Sequence, residues 1–159
     1  VVLFARNSKA AKRLSEQFRT HTVQKFYRAV VTGSPEKTKG ELIAYLKKEK
    51  SLKSTVFPRP AEGARQAKLC YRVLDSFAGG SILEIILHTG RFHQIRAQLA
   101  FIGHPIVGDI KYKAPHPLPD RQIALYAHKL VFKHPISGDS VTIESPEPQR
   151  WKDFCYNLG

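Results

Sequence analysis

The chain has 159 residues, 42% of them hydrophobic, with 26 Lys and Arg against 13 Asp and Glu and a formal net charge of +13. That length suits one domain with a core, that hydrophobic share argues against disorder, and no apolar run approaches the roughly 20 residues of a membrane span. The charge favours a polyanion, for which nucleic acid is the commonest candidate, and no basic amphipathic helix stands out to serve an acidic membrane surface instead.

The charge is uneven. Residues 1–60 hold 14 bases and 4 acids; residues 61–159 hold 12 and 9. Two cysteines, Cys70 and Cys155, make neither a disulfide framework nor a zinc spacing, which sets a reducing cytoplasm as the default compartment. The opening Val-Val-Leu-Phe-Ala lacks the basic leader of a signal peptide. There is no Met, and Val1 already sits in an apolar, strand-like stretch. A natural terminus seldom starts in mid-strand, so the chain is expected to be a piece of a longer protein.

In chain order, residues 1–5 read as a buried strand. Ser8 is a suitable N-cap for a helix to about Arg19, with Ala11, Leu14 and Phe18 at helical spacing. Residues 22–32, rich in Val, Phe, Tyr and Thr, read as a strand ended by Gly33-Ser34-Pro35. Residues 41–46 are a short strand or turn. Residues 47–63 are basic and contain proline without a clear period: a mobile loop or a nucleic-acid-contacting insertion. Residues 65–77 alternate as a strand, and Gly79-Gly80 turns the chain into a second strand over 81–87. A helix over 92–102 follows, with Phe92, Ile95, Leu99 and Ile102 as its core stripe and Gly103 as its stop. His93, Arg96 and Ala100 share the adjacent face and can line a cleft. Residues 113–120 form a Pro-rich loop, residues 124–132 and 140–144 are strands, and Pro148 opens a last helix with Trp151, Phe154, Cys155 and Leu158 as its apolar stripe. Strands joined mainly by turns, without regular βαβ alternation, predict an α+β domain: a mainly antiparallel mixed sheet with flanking helices, a single unit over 1–159.

The chemistry concentrates at the start of the helix over 92–102. Arg91, His93, Gln94 and Arg96 crowd its first turns, a density of donors suited to holding an anion. Arg96 falls within the apolar part of the helix, so its guanidinium needs an acid partner. Asp109 is the nearest candidate; an acid outside this chain is the other. Tyr27, flanked by Lys25 and Arg28, is either a core residue of its strand or a platform for stacking on a base. No Gly-x-Ser-x-Gly elbow, His-Glu-x-x-His helix, P-loop or dinucleotide glycine pattern occurs, which points away from hydrolase, metal, ATP and NAD chemistry.

Three blocks resemble the RluA-type pseudouridine synthases, which isomerise uridine in ribosomal or transfer RNA. Lys25-Phe26-Tyr27-Arg28-Ala29 is similar to their Lys-x-Tyr-x-Ala block. The run from Thr89 through Arg96, with Gly103-His104-Pro105-Ile106-Val107-Gly108-Asp109, resembles the most specific one, and Ala127-His128-Lys129-Leu130 with the Pro135 to Gly138 turn resembles a third. The resemblance implies the fold of that family, RNA as partner, no cofactor and no metal; it implies no protein partner, and a monomer is the default. It implies that the essential aspartate belongs to a block directly ahead of residue 1. Asp75, Asp109, Asp120, Asp139 and Asp153 do not occupy its place, so the 159 residues alone are expected to be inactive. It further implies catalytic roles for Arg96, pairing with that aspartate, and for Tyr27, stacking on the flipped base. Arg91, His93, Gln94 and Lys25 are the implied substrate contacts, with residues 47–59 attracting phosphates. A non-catalytic RNA-binding module is the alternative.

Overall fold

The structure, a computed structural model, describes residues 1–148 and Trp151. Its strands are β1 (Gln24–Thr32), β2 (Lys39–Lys48), β3 (Ser54–Phe57), β4 (Arg65–Phe77), β5 (Gly80–Leu87), β6 (Leu125–Lys133) and β7 (Ser140–Glu144). They form one sheet in the order β3-β2-β4-β5-β1-β6-β7, and every neighbouring pair is antiparallel. The helices are α1 (Ser8–Arg19) and α2 (Gln94–Phe101), with single 3-10 turns at Ile110–Tyr112 and Pro119–Arg121. The α+β architecture read from the sequence is therefore the one found.

Alternation along the central strands decides which face is covered. Ala67, Leu69 and Tyr71 of β4 and Leu83, Ile85 and Leu87 of β5 are buried, each spaced by two residues. Tyr27 and Ala29 of β1 stand opposite Ile85 and Leu83, so they share that face. Ile95 and Leu99 of α2 join this core. On β6, Ala127 faces Tyr27 and Leu130 faces Lys25; the register shifts between them, so His128 is an inserted residue and both partners stay on one side. Leu130 packs in the cluster that receives Leu14 of α1. Both helices thus cover the same face, α1 towards β6 and β7, α2 towards β2, β3 and β4. The chain from 103 to 124 runs between them, held by Val107 N–H on Val30 O and Val30 N–H on Ala124 O.

Several expectations are corrected. Residues 1–5 are not a strand: Val2 and Phe4 are 75% and 85% exposed. β6 already has β1 and β7 on its two edges, so no free edge remains for them to join. The stretch over 47–63 is not a bare loop. Lys39–Lys48 runs longer than expected and turns at residues 49–53 into β3, which pairs back on it. Asn7, one residue ahead of Ser8, caps α1 by accepting the Ala10 N–H at 2.9 Å. Helix α2 starts at Gln94, not Phe92, and Phe92 is 37% exposed rather than in the core stripe. Of the last helix, Trp151 is buried with its ring edge-on to Tyr126; Phe154, Cys155 and Leu158 lie outside the described residues.

Candidate active site

The turn that leads from β5 into α2 is fastened from below by side chains. Thr89 Oγ1 accepts the Lys68 N–H at 2.8 Å and donates to Gln94 Oε1 at 2.8 Å. The same Gln94 oxygen accepts the Arg91 N–H, and Gln94 Nε2 donates to Lys68 O. Gln94 is 3% exposed, so its amide is spent within the chain. These bonds shape the loop that leads into α2. Arg91 donates Nε–H to Gln66 O at 3.0 Å and keeps its terminal nitrogens for other partners. His93 takes the left-handed conformation, φ 51°, which is why the helix cannot begin at Phe92.

Arg96 stands on the first turn of α2 and is held side-on by Asp109: Nε to Oδ2 and Nη2 to Oδ1, both 2.7 Å. The Asp109 side chain has no exposure and Arg96 has 18%. This bond is the main cause that lifts the guanidinium above its ordinary value. The acid partner is thus the internal one of the two the sequence left open.

A polar chain backs the pair. Arg96 Nη1 lies 3.1 Å from His93 Nε2, and His93 Nδ1 lies 3.2 Å from Tyr112 Oη. A guanidinium only donates, so Nε2 must accept, and the proton of the neutral ring sits on Nδ1 and goes to Tyr112 Oη. That oxygen also accepts the Ser54 N–H at 2.7 Å, while Ser54 Oγ–H donates to Phe92 O. Burial, then the charges of Arg96 and Lys111, push the His93 imidazole below its ordinary value. A second proton on His93 would set N–H against N–H. The sign follows: the unfolded chain takes up this proton first, near the ordinary value of about 6.5. His93 therefore contributes stability that is complete above that pH and is lost as pH falls through the lowered folded value. Urea midpoints measured on acidification should fall less steeply for His93→Asn, a residue that tolerates φ 51°, than for the parent; equal slopes would refute the assignment. Tyr112 and Ser54 were not singled out by sequence reading. Tyr112, three residues after Asp109, carried a readable signal, since a 3-10 turn returns it to the same side.

Tyr27 and Lys25 lie elsewhere on the same sheet face. They line a cleft of about 260 Å³ with Val1, Leu3, Phe18 and Ala127. The Val1 ammonium donates to Ala127 O at 3.2 Å. Burial pushes the Tyr27 phenol up and the Lys25 ammonium down. Tyr27 is therefore a neutral phenol near pH 7, suited to stacking and to donating. Arg96 and Asp109 line a different cleft of about 530 Å³ with Gly108, Lys111, Arg121 and Ile123. Among the described residues no group of three or more His, Cys, Asp or Glu could hold a metal ion, and no helix is long and apolar enough to cross a membrane.

This arrangement, an antiparallel sheet with both helices on one face and a guanidinium–carboxylate pair in a basic cleft, has the fold of pseudouridylate synthase domains. The solved human RNA pseudouridylate synthase domain containing 4 matches with a TM-score of 0.78 and 23% identity, over 96% of this chain and 68% of its own. The human domain containing 1 matches with a TM-score of 0.74 and 22% identity, over 97% and 73%. A model of the RNA pseudouridylate synthase family matches residues 1–101, across both the Tyr27 and the Arg96 blocks. The chain belongs to that family, as the resemblance to its RluA-type members implied. An "uncharacterized RNA pseudouridine synthase" of Bacillus subtilis is 33% identical over 97% of this chain and 51% of its own length. One from Synechocystis is 33% identical over 99% and 49%. The chain spans about half the length of the curated relatives it matches.

Proposed function

We propose that residues 1–159 are part of the catalytic domain of an RNA pseudouridine synthase acting in the cytoplasm on a uridine of ribosomal or transfer RNA. The observation that carries this reading is the family match running unbroken through Lys25–Ala29 and Thr89–Arg96. The uridine leaves its stack and enters the face between α1 and α2. The N1–C1′ bond breaks, the base turns, C5 bonds to C1′, and the C5 proton is released as N1 gains one. Atoms balance without a cofactor or a metal.

An aspartate supplied by a segment ahead of Val1 would start the exchange. Such a segment joins the molecule beside Tyr27, because Val1 shares its cleft. Arg96 has five N–H groups. Asp109 takes two and His93 accepts one, which leaves two for an incoming carboxylate or phosphate. Asp109 and His93 then orient Arg96 rather than compete with it. Tyr27 stacks on the extruded base, with Lys25 and Arg91 near its phosphates.

The test is tritium release from C5-labelled uridine in RNA by the full-length protein. Release is expected; its absence with every ribosomal and transfer RNA would leave only an RNA-binding module. Tyr27→Phe keeps the stacking ring, so it should bind RNA as the parent does while turning over at least about a hundredfold more slowly if the hydroxyl assists the C5 proton. Unchanged turnover would confine Tyr27 to packing and stacking.

A further inference from the structure

A third cleft, of about 660 Å³, lies between the C-terminal half of α2, the β2–β3 turn and the 3-10 turn at Ile110–Tyr112. That volume is in the range of about 300–1,000 Å³ that nucleotide-sized ligands occupy. Lys53, Lys111 and Lys113 line it, and among the described residues none of them forms an ion pair. Glu49 is the one carboxylate among its lining residues. Thr32 and Thr55 add hydroxyls, and Phe101, 53% exposed, adds an aromatic face. The walls are braced: Glu49 N–H bonds Lys53 O at 2.8 Å and closes the hairpin, and Ser54 N–H bonds Tyr112 Oη across the cleft.

Its position relative to Arg96 gives it meaning. Lys111 lines this cleft and also the Arg96–Asp109 cleft. A cationic path therefore runs from Arg96 and Arg121 over Lys111 to Lys53 and Lys113. Such a path, with hydroxyls and an open aromatic face, suits a sugar–phosphate chain with unstacked bases better than a compact anion, which needs only one such cluster. We propose that this groove carries the single strand flanking the target uridine, with Lys53, Lys111 and Lys113 on its phosphates and Phe101 under one of its bases. The proposal rests on the RNA reading above and adds where the strand runs.

The experiment uses the full-length protein and a fluorescent single-stranded oligouridine, titrated across a salt series. Removing two phosphate contacts in Lys53→Ala/Lys113→Ala should raise Kd about tenfold and flatten the log–log salt slope by about 1.4. Phe101→Ala should raise Kd at least about fivefold with the slope unchanged. Lys9→Ala/Lys12→Ala removes the same charge from α1, which packs at the opposite edge of the sheet, and should change neither quantity comparably. Unchanged affinity and slope in the groove variants would overturn the proposal. So would an equal loss in the α1 variant, which means diffuse attraction, or preferential capture of polyglutamate, which means a groove for acidic peptides. The two readings fail separately: tritium release by the parent with intact binding in the groove variants sinks only the groove, and the expected binding loss in the groove variants of a parent that never releases tritium sinks only the isomerase.

Discussion

In the full-length protein Arg96→Ala should abolish tritium release and, in addition, lower stability by about 3–5 kcal/mol. The second effect follows from the asymmetry of the pair. Asp109 has no exposed side-chain surface, whereas Arg96 reaches solvent with about a fifth of its own. Losing the guanidinium strands a buried carboxylate whose two oxygens both rely on it. Losing the carboxylate instead leaves a cation that can turn towards water, so Asp109→Asn should cost less. The double change Arg96→Met/Asp109→Leu removes both charges and keeps apolar volume; such replacements of buried pairs are often neutral. It should recover most of the urea midpoint that Arg96→Ala loses, yet release no tritium. RNA affinity of the refolded double variant should stay within a few-fold of the parent, because Arg96 is one cation among many. Turnover by either Arg96 variant near the parental rate would remove Arg96 from the chemistry. Full stability of Arg96→Ala would contradict the burial argument.

Gly108→Ala should be nearly as damaging, although it alters no polar group. Gly108 has φ +83°, and an added Cβ would lie 2.5 Å from Gln122 O and 2.8 Å from Leu118 Cγ. The left-handed conformation costs an L-residue about 1–2 kcal/mol. The backbone oxygen cannot yield without moving the chain ahead of β6, which adds to that cost. Asp109 is the next residue, so any shift moves the carboxylate that orients Arg96. Lower stability is expected together with a fall in turnover larger than the fall in RNA affinity. Gly138→Ala is the matched control: its φ is +81° but nothing lies within 4 Å of the added carbon, so only the conformational cost should appear. Equal losses at the two positions would show that the clash beside Asp109 has no bearing on the site.

Much of the fold was legible because its signals are local. The strand over 65–77 was read at both ends as it stands, and β1, β5, β6 and β7 within two residues, since alternation and turn residues repeat at the spacing of a pleated strand. Helix α1 has the bounds its sequence suggests, but its cap is Asn7 rather than Ser8 and, of Ala11, Leu14 and Phe18, only Leu14 is buried. β3 was not, because four residues of Ser-Thr-Val-Phe in a basic, proline-flanked stretch become a strand only when the edge of β2 is there to pair with. Residues 1–5 failed in the opposite sense: their apolar character suits a strand, but they lie beside β6, whose two edges are taken by β1 and β7.

The candidate site divides in the same way. Arg96 could be singled out from its place in an apolar helix, and its need for an acid followed from the cost of burying a charge. Which acid answered that need was a matter of distance through space, and the turn at Gly108 brings Asp109 to 2.7 Å. Gln94 stands out by type and neighbourhood, but the three atoms of its own turn and of β4 that bond its amide are visible only in the structure. The sequence by itself determined the charge, the strand pattern, the turn residues and the short list of groups able to do chemistry, because each depends on a residue and its near neighbours. Only the tertiary structure decided which donors were already satisfied, that Tyr27 and Arg96 line different clefts, and that Ser54 and Tyr112 stand behind His93. Hydrogen bonds and ion pairs act over a few ångströms, and residues far apart along a chain come that close only once the sheet has set their positions.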